Sequence, residues 1–175
     1  MRLLLSQRPI VVALSGPNGA GKTTFYRTYL RPSGLRFVNA DVVARELGVD
    51  PYKAAKLAEG LRLQLIEQGE SFIFETVFSD PVGHKLAFLK DAERCGYTVV
   101  LFFIGLDGPE TCNERVAMRV LKGGDDVPAE KLLERYPRVM SNLKRALVEL
   151  SNVRVYDNSD LRRPYRLVAT MENGD

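Results

Sequence analysis

Apolar residues along this chain alternate between two arrangements, short continuous runs and a helical spacing of three or four positions. The short runs predict β-strands over 9–16, 35–41, 71–76, 97–106 and 153–159, with a last edge strand over 165–174. The helical spacing predicts helices over 22–30, 50–69, 80–96, 109–121 and 129–150. Strands that alternate with helices predict an α/β domain with a mostly parallel five-stranded sheet flanked by helices.

Three of these helices carry further expectations. In the 50–69 helix one face is predicted to be buried and Gly69 to end the helix; that face consists of Ala54, Leu57, Ala58, Leu61 and Leu65. The 80–96 helix is expected to begin at Asp80-Pro81, a cap followed by proline at the first position. Pro137 is expected to kink or break the last helix.

The composition narrows the class of protein. The chain has 175 residues, 45% of them hydrophobic and 27% charged, which fits one globular domain over 1–175. A net charge of +3, with no basic stripe interleaved with aromatics, does not favour nucleic acid or a membrane as partner. Two cysteines and one histidine exclude a disulfide scaffold and a Cys/His zinc site, and favour a cytoplasmic location. Polar residues interrupt the apolar N-terminal stretch, so no targeting segment is expected there.

The most specific motif lies between the first strand and the first helix. Its residues match G-x-x-x-x-G-K-[ST], and they are Gly16, Pro17, Asn18, Gly19, Ala20, Gly21, Lys22 and Thr23. Glycines allow several backbone N–H groups to surround phosphate oxygens, and the following helix adds its positive dipole end. Lys22 is expected to reach the β- and γ-phosphates of a nucleoside triphosphate, and the Thr23 hydroxyl to ligate Mg²⁺. Thr24 and Asn158 complete the predicted nucleotide-binding set.

What happens to the triphosphate depends on other residues. The chain has neither the N-K-x-D of GTPases nor the L-S-G-G-Q of transporter ATPases, so a kinase with an acceptor site is favoured. Asp41, at the predicted end of strand two, is the best candidate base, although it could instead cap a helix starting at Val42. Glu75 and Thr76 end strand three; Glu75 could orient the substrate or hold magnesium through water, or could be a solvated strand end.

A glycine-containing loop near residue 123 is flanked by arginines. Arg115 and Arg119 precede it on one helix face, and Arg135 and Arg138 follow it. Guanidinium groups suit phosphate oxygens, so residues 115–140 are predicted to form a helical lid over the nucleotide. The alternative is a pair of solvated helices whose arginines pair with nearby glutamates.

Taken together, these segments resemble the zeta-toxin-like P-loop kinases, in particular a stand-alone bacterial branch described as predicted ATPases. The segments are GPNGAGKTTF, FVNAD, FIFET, RVAMRV-x-x-GG-x-x-VP, RYPRVMSNL and VYDNS, in that order over residues 9–160. The resemblance implies an ATP- and Mg²⁺-dependent kinase with UDP-N-acetylglucosamine as acceptor and an antitoxin protein as a partner. It also implies that Asp41 is the base, that Glu75 contacts the substrate, and that Arg119 and Arg135 clamp the phosphates.

Two other functions remain open at this point. A metabolic or nucleotide kinase of similar topology would share the phosphate loop and differ in its acceptor. An ATP-binding regulatory module would bind the nucleotide tightly with little turnover.

Overall fold

The computed structural model describes residues 4–172. Within this range the strands form one six-stranded sheet. The strand order is β2-β3-β1-β4-β5-β6; the first five strands are parallel and β6 is antiparallel to β5. The strands are β1 (Ile10–Ser15), β2 (Arg36–Val38), β3 (Phe72–Thr76), β4 (Thr98–Gly105), β5 (Val153–Asp157) and β6 (Arg166–Met171).

Helices cover both faces of this sheet. They are α1 (Lys22–Phe25), α2 (Ala40–Leu47), α3 (Pro51–Glu67), α4 (His84–Arg94), α5 (Pro109–Val120) and α6 (Ala129–Glu149). After α1 the chain continues as a π-helical turn over Tyr26–Leu30 and a 3₁₀ turn over Arg31–Ser33. Within the described range, no helix has the length and apolar character needed to cross a membrane.

The core is divided by the sheet into two layers, because side chains along a strand alternate between its faces. On one face, β1, β3 and β4 pack against α3, α4 and α6, with Phe72, Phe74 and Leu86 fully buried. On the other face, the same strands pack against α1 and α5, with Phe25 and Phe102 buried. Strands β1, β3 and β4 are therefore apolar almost throughout, as the short hydrophobic runs predicted.

The predicted α/β class and mostly parallel sheet are confirmed, and the sheet has six strands because an edge strand joins the five predicted ones. Its sixth strand is the edge strand expected over 165–174, which ends at Met171; residues 173 and 174 lie outside the described range. This edge strand joins the sheet antiparallel, which a short hairpin-like connection from β5 permits.

Several predicted boundaries are wrong. The second strand ends at Val38, because the Asn39 side chain accepts hydrogen bonds from two backbone N–H groups and starts α2 there. The fourth helix begins at His84 after Gly83, whose φ is 79°, whereas Asp80-Pro81 lie in the preceding turn.

The expected burial of Leu57 and the expected break at Pro137 are not found. Leu57 lies next to the buried face of α3 but remains 43% exposed. Arg62, which was not expected on that face, is buried there. No break occurs at Pro137: α6 runs through it, because apolar residues on both sides, such as Leu132 and Val139, are buried against the domain.

Candidate functional site

The glycine-rich loop connects β1 to α1 at the carboxyl end of the sheet, and its own packing requires glycine. Gly16 has a φ of 141°, and a Cβ atom there would lie 2.0 Å from the carbonyl oxygen of Ile104 in β4. At Gly21, with φ 88°, a Cβ would lie 2.8 Å from the Asn158 side chain. The glycines therefore let the loop lie directly against neighbouring strands, in addition to leaving room for phosphate.

Lys22 begins α1 and points back into this loop. It is only 7% exposed, and its Nζ donates hydrogen bonds of 2.9 Å to the carbonyl oxygens of Gly16 and Pro17. Burial lowers the pKa of Lys22, because desolvation disfavours the charged ammonium. The carboxylates of Glu75 and Asp41 act on the same pKa in the opposite direction. Both predicted carboxylates are therefore close enough to Lys22 to share its electrostatic environment.

Thr23, Glu75 and Asn39 form a hydrogen-bonded group beside Lys22. The Thr23 hydroxyl donates to Glu75 Oε2 at 3.2 Å, and the Asn39 Nδ2 donates to the same oxygen at 3.1 Å. The other side-chain atom of Asn39 caps α2, so one buried residue fixes both Glu75 and the helix start. Asn39 is a site residue that the sequence reasoning missed, although its place before the FVNAD aspartate could have indicated it.

Asp41 lies in the first turn of α2, and its position corrects two expectations. It neither ends a strand nor caps the helix, because Asn39 is the cap and accepts the Asp41 backbone N–H at 2.8 Å. Its side chain is exposed and, among the residues described, forms no hydrogen bond or ion pair. The Asp41 carboxylate therefore lies exposed at the N-terminal end of α2, at the edge of the sheet where the phosphate loop also lies.

The remaining predicted substrate residue, Thr76, has a structural role in this fold. Its hydroxyl accepts the backbone N–H of Phe78 at 3.2 Å, and Phe78 has a φ of 66°. Thr76 thus stabilises the turn after β3, while staying half-exposed at the carboxyl end of the sheet.

The four arginines predicted to flank a lid have different surroundings. Arg115 donates to the backbone oxygens of Asn158 and Ser159, so it joins α5 to the end of β5. Arg138 pairs with Glu134 on its own helix at 2.7 Å. These two arginines fit the structural alternative better than a role at the nucleotide.

Arg119 and Arg135 differ from these two because, within the described chain, neither contacts a carboxylate or the end of β5. Arg119 is exposed and donates to the Asp125 backbone oxygen in the glycine loop, and its charge lowers the pKa of Lys22. Arg135 is half-buried and forms no hydrogen bond or ion pair within the described chain. Arg119 is thus within electrostatic range of the phosphate loop.

Asn158 supports the phosphate loop through a buried side-chain hydrogen bond. It is 4% exposed; its Nδ2 donates to the Ala20 oxygen at 2.8 Å and its Oδ1 accepts the Tyr165 backbone N–H at 3.3 Å. The Tyr165 hydroxyl donates to the Gly21 oxygen at 3.0 Å, and burial raises its pKa despite a hydrogen bond with Thr24. Tyr165 was missed because it precedes an edge strand far along the chain from the loop that it contacts.

The chemistry of the donor set is compatible with Mg²⁺. The Thr23 hydroxyl is exposed and has Glu75 beside it, although no cluster of three metal-ligating side chains occurs among residues 4–172. Mg²⁺ in nucleotide sites keeps several waters and is held by one or two protein oxygens plus the phosphates. These residues therefore fit a magnesium ion that arrives with a nucleotide.

Comparisons with solved structures show the same fold in nucleotide-dependent proteins. The crystal structure of AvrRxo1-ORF1:-ORF2 with ATP matches with a TM-score of 0.75 and 20% identity, over 98% of this chain and 61% of that chain. The PezAT chromosomal toxin-antitoxin system of Streptococcus pneumoniae matches with a TM-score of 0.66 and 20% identity, over 97% and 75%. Shikimate kinase from Acinetobacter baumannii, in complex with shikimate, matches with a TM-score of 0.52 and 18% identity, over 81% and 82%.

These likenesses establish a P-loop kinase-like fold. The chain spans about three fifths of the length of the AvrRxo1-ORF1:-ORF2 chain that it matches. No curated protein sequence matches this chain significantly. A family model described as an AAA domain matches residues 11–140, from β1 through the phosphate loop and into α6. The chain therefore belongs to this AAA domain family, with the P-loop kinase-like fold.

Proposed function

We propose that this protein is an ATP-dependent phosphotransferase, a small-molecule kinase that transfers the γ-phosphate of ATP to a hydroxyl group. The observation that carries the proposal is the contact of Lys22 with the phosphate loop beside the hydrogen-bonded Thr23 and Glu75, with the exposed carboxylate of Asp41 at the same edge of the sheet. A protein that only bound ATP would need the loop and Lys22, whereas phosphate transfer also needs an acceptor-facing carboxylate.

In this proposal the phosphate loop holds the nucleotide. Backbone N–H groups of the loop and the start of α1 cradle the β- and γ-phosphates. Lys22 exchanges its two carbonyl contacts for phosphate oxygens, and the Thr23 hydroxyl, next to Glu75, holds Mg²⁺. The metal would neutralise phosphate charge as transfer proceeds.

Asp41 acts as the base toward the acceptor. Its carboxylate is exposed and has no partner among described residues, so an acceptor hydroxyl can approach it without displacing a protein group. As the acceptor hydroxyl oxygen bonds to the γ-phosphorus, the bond from that phosphorus to the β-phosphate oxygen breaks, ADP leaves, and the hydroxyl proton passes to Asp41. Hydrogen bonds with Thr23 and Asn39 fix the Glu75 carboxylate, which contacts the acceptor in this proposal.

Arg119 and Arg135 supply positive charge from the lid segment 115–140. Both guanidinium groups lack a carboxylate partner, so they are free to pair with phosphate oxygens when the segment closes. Closure would also exclude water, which would otherwise compete with the acceptor hydroxyl.

For the acceptor we propose a UDP-N-acetyl sugar, following the resemblance to the zeta-toxin-like kinases. We also propose an antitoxin-like partner; two of the similar solved structures are AvrRxo1-ORF1:-ORF2 and the PezAT toxin-antitoxin system.

The experiment is incubation with labelled ATP, Mg²⁺ and a panel of sugar nucleotides, sugars and nucleosides, with mass spectrometry of the products. Asp41→Asn should abolish transfer and leave ATP affinity within about threefold, because Asp41 touches the acceptor and not the phosphates. Glu46→Gln, an exposed carboxylate on the same helix, should behave as wild type. Transfer that persists in Asp41→Asn refutes the base assignment, and tight ATP binding without any product favours a regulatory module.

A further inference from the structure

Arg62 in the middle of α3 is a buried cation that forms no ion pair within residues 4–172. It is 7% exposed, and its guanidinium lies 5.0 Å from the centre of the Phe74 ring and 5.6 Å from that of Phe88. Its Nε is fully buried with no hydrogen-bond partner. The two terminal nitrogens also form no hydrogen bond or ion pair with any described residue, but they retain contact with solvent.

Packing alone does not explain an arginine at this position. Cation–π contacts with the two rings are favourable, but a buried donor without an acceptor costs free energy that works against them. An apolar side chain of similar length would fill the same space between the two rings without that cost. Burial lowers the pKa of Arg62, and the carboxylate of Glu59 opposes this shift without forming an ion pair with the guanidinium.

The direction of α3 places the Arg62 guanidinium toward the carboxyl edge of the sheet, where the acceptor is proposed to bind. The C-terminal end of α3 lies at the amino edge, because the Tyr97 hydroxyl at the start of β4 donates to the Leu65 and Ile66 carbonyls. Helical side chains lean toward the helix N-terminus, so Arg62 leans toward the carboxyl edge.

The strand beneath Arg62 leads to the predicted acceptor residues. Arg62 lies over Phe74, which immediately precedes Glu75 in β3. On the same face of β3, Thr76 lies about 7 Å further along, at roughly 3.3 Å per residue. The guanidinium therefore lies on the face of β3 that carries Thr76, whereas the Glu75 side chain faces α1 on the opposite side of the sheet.

We propose that Arg62 binds an oxyanion, a phosphate or a carboxylate, carried by the hydroxyl-bearing acceptor. The acceptor would then be anionic, with its charged group held between α3 and α4 and its hydroxyl group at Asp41. A guanidinium matches either oxyanion through paired N–H donors, and the two phenyl rings exclude water from the contact. The identity of the acceptor in this inference rests on the proposed kinase function, whereas anion binding at Arg62 does not.

The test uses the whole chain with its phosphate loop filled by a non-hydrolysable ATP analogue and Mg²⁺, so that the loop cannot take the probe. Inorganic phosphate and acetate are titrated separately at constant ionic strength, and the thermal unfolding midpoint is recorded. Wild type is compared with Arg62→Met and with the control Arg94→Gln, an exposed arginine paired only with Asp91 on its own helix. Because phosphate also stabilises proteins non-specifically, the difference between variants is the measured quantity.

We expect at least one anion to raise the midpoint of wild type and Arg94→Gln, with an apparent Kd at least about tenfold weaker in Arg62→Met. A response to phosphate alone assigns a phosphorylated acceptor, and a response to acetate alone assigns a carboxylate. Equal responses in all three proteins, or no response in wild type, overturn the proposal. Arg62→Met is expected to unfold no earlier than wild type without ligand, because it removes an uncompensated charge; a lower midpoint with an unchanged anion response would show a purely structural arginine.

The two proposals can fail separately. If the ATP analogue itself gives no protection, the proposed nucleotide site fails. The anion titration is then repeated in a Lys22→Met background, where the phosphate loop has lost its cation, and the comparison at Arg62 still decides this inference. If the analogue binds and the anions do not, the nucleotide site stands and the acceptor assignment falls.

Discussion

Replacing Asn158 with alanine tests whether the end of β5 holds the phosphate loop in place. The substitution removes the 2.8 Å hydrogen bond to the Ala20 oxygen and the 3.3 Å bond from the Tyr165 N–H. Ala20 is fully buried, so its carbonyl oxygen loses its donor in a place that water reaches poorly, at a cost of about 1–3 kcal/mol. The second bond adds about 1 kcal/mol. The free energy of unfolding should therefore fall by about 2–4 kcal/mol.

Urea unfolding followed by circular dichroism measures this change, and a thermal midpoint lower by roughly 5–15 °C should accompany it. The matched control is Asn152→Ala: Asn152 is half-buried and donates one bond of 3.2 Å to the Val99 oxygen, so its loss should cost about 1 kcal/mol. ATP affinity should weaken in Asn158→Ala and stay unchanged in the control. If both variants lose the same stability and bind ATP as wild type does, then Asn158 does not support the loop.

Three further predictions follow from buried or paired groups. Gly16→Ala should nearly abolish ATP binding, measured by titration calorimetry, because the added Cβ would lie 2.0 Å from a backbone oxygen; wild-type affinity would contradict this packing. Native protein should show one reactive thiol with Ellman's reagent at pH 8 and two after unfolding, because Cys95 is exposed while Cys112 is buried and its pKa is raised to about 11. Hydrogen bonds from Lys90 and Arg145 lower the pKa of Glu149, so its contribution to stability should be present at pH 7 and disappear as the pH falls through that lowered pKa. Glu149→Gln should therefore reduce the free energy of unfolding at pH 7 and not near pH 2. Equal losses at both pH values would refute this prediction.

The sequence was sufficient for the parts of the site that lie close together along the chain. The phosphate loop, Lys22 and Thr23 follow one another, and the requirement for strand before and helix after is local, so these residues were placed correctly between β1 and α1. The carboxylates that follow β2 and end β3 could also be predicted to lie near Lys22, since parallel strands end at the same edge of a sheet.

Positions that depend on competition between neighbours could not be read from the pattern. Asn39 and Asp41 are both capping residue types, and only the backbone geometry shows that Asn39 takes the cap and leaves Asp41 free. Arg115 and Arg119 lie one turn apart on the same helix face, yet Arg115 donates to backbone oxygens after β5, whereas Arg119 donates to the Asp125 backbone oxygen in the glycine loop. Such choices are decided by which partner lies nearest in space.

The sequence by itself determined the order of the strands, the phosphate loop and most of the helices, because strand runs, helical spacing and glycine geometry are local properties of the chain; the short helix α2 was not among the predicted helices. Only the tertiary structure decided that Asn158 and Tyr165 support that loop from more than a hundred residues away, and that the Arg62 Nε is buried with no hydrogen-bond partner among the described residues. The physical reason is that burial and hydrogen-bond pairing depend on distances between residues remote in the chain, and these distances exist only once the sheet and its helices have packed.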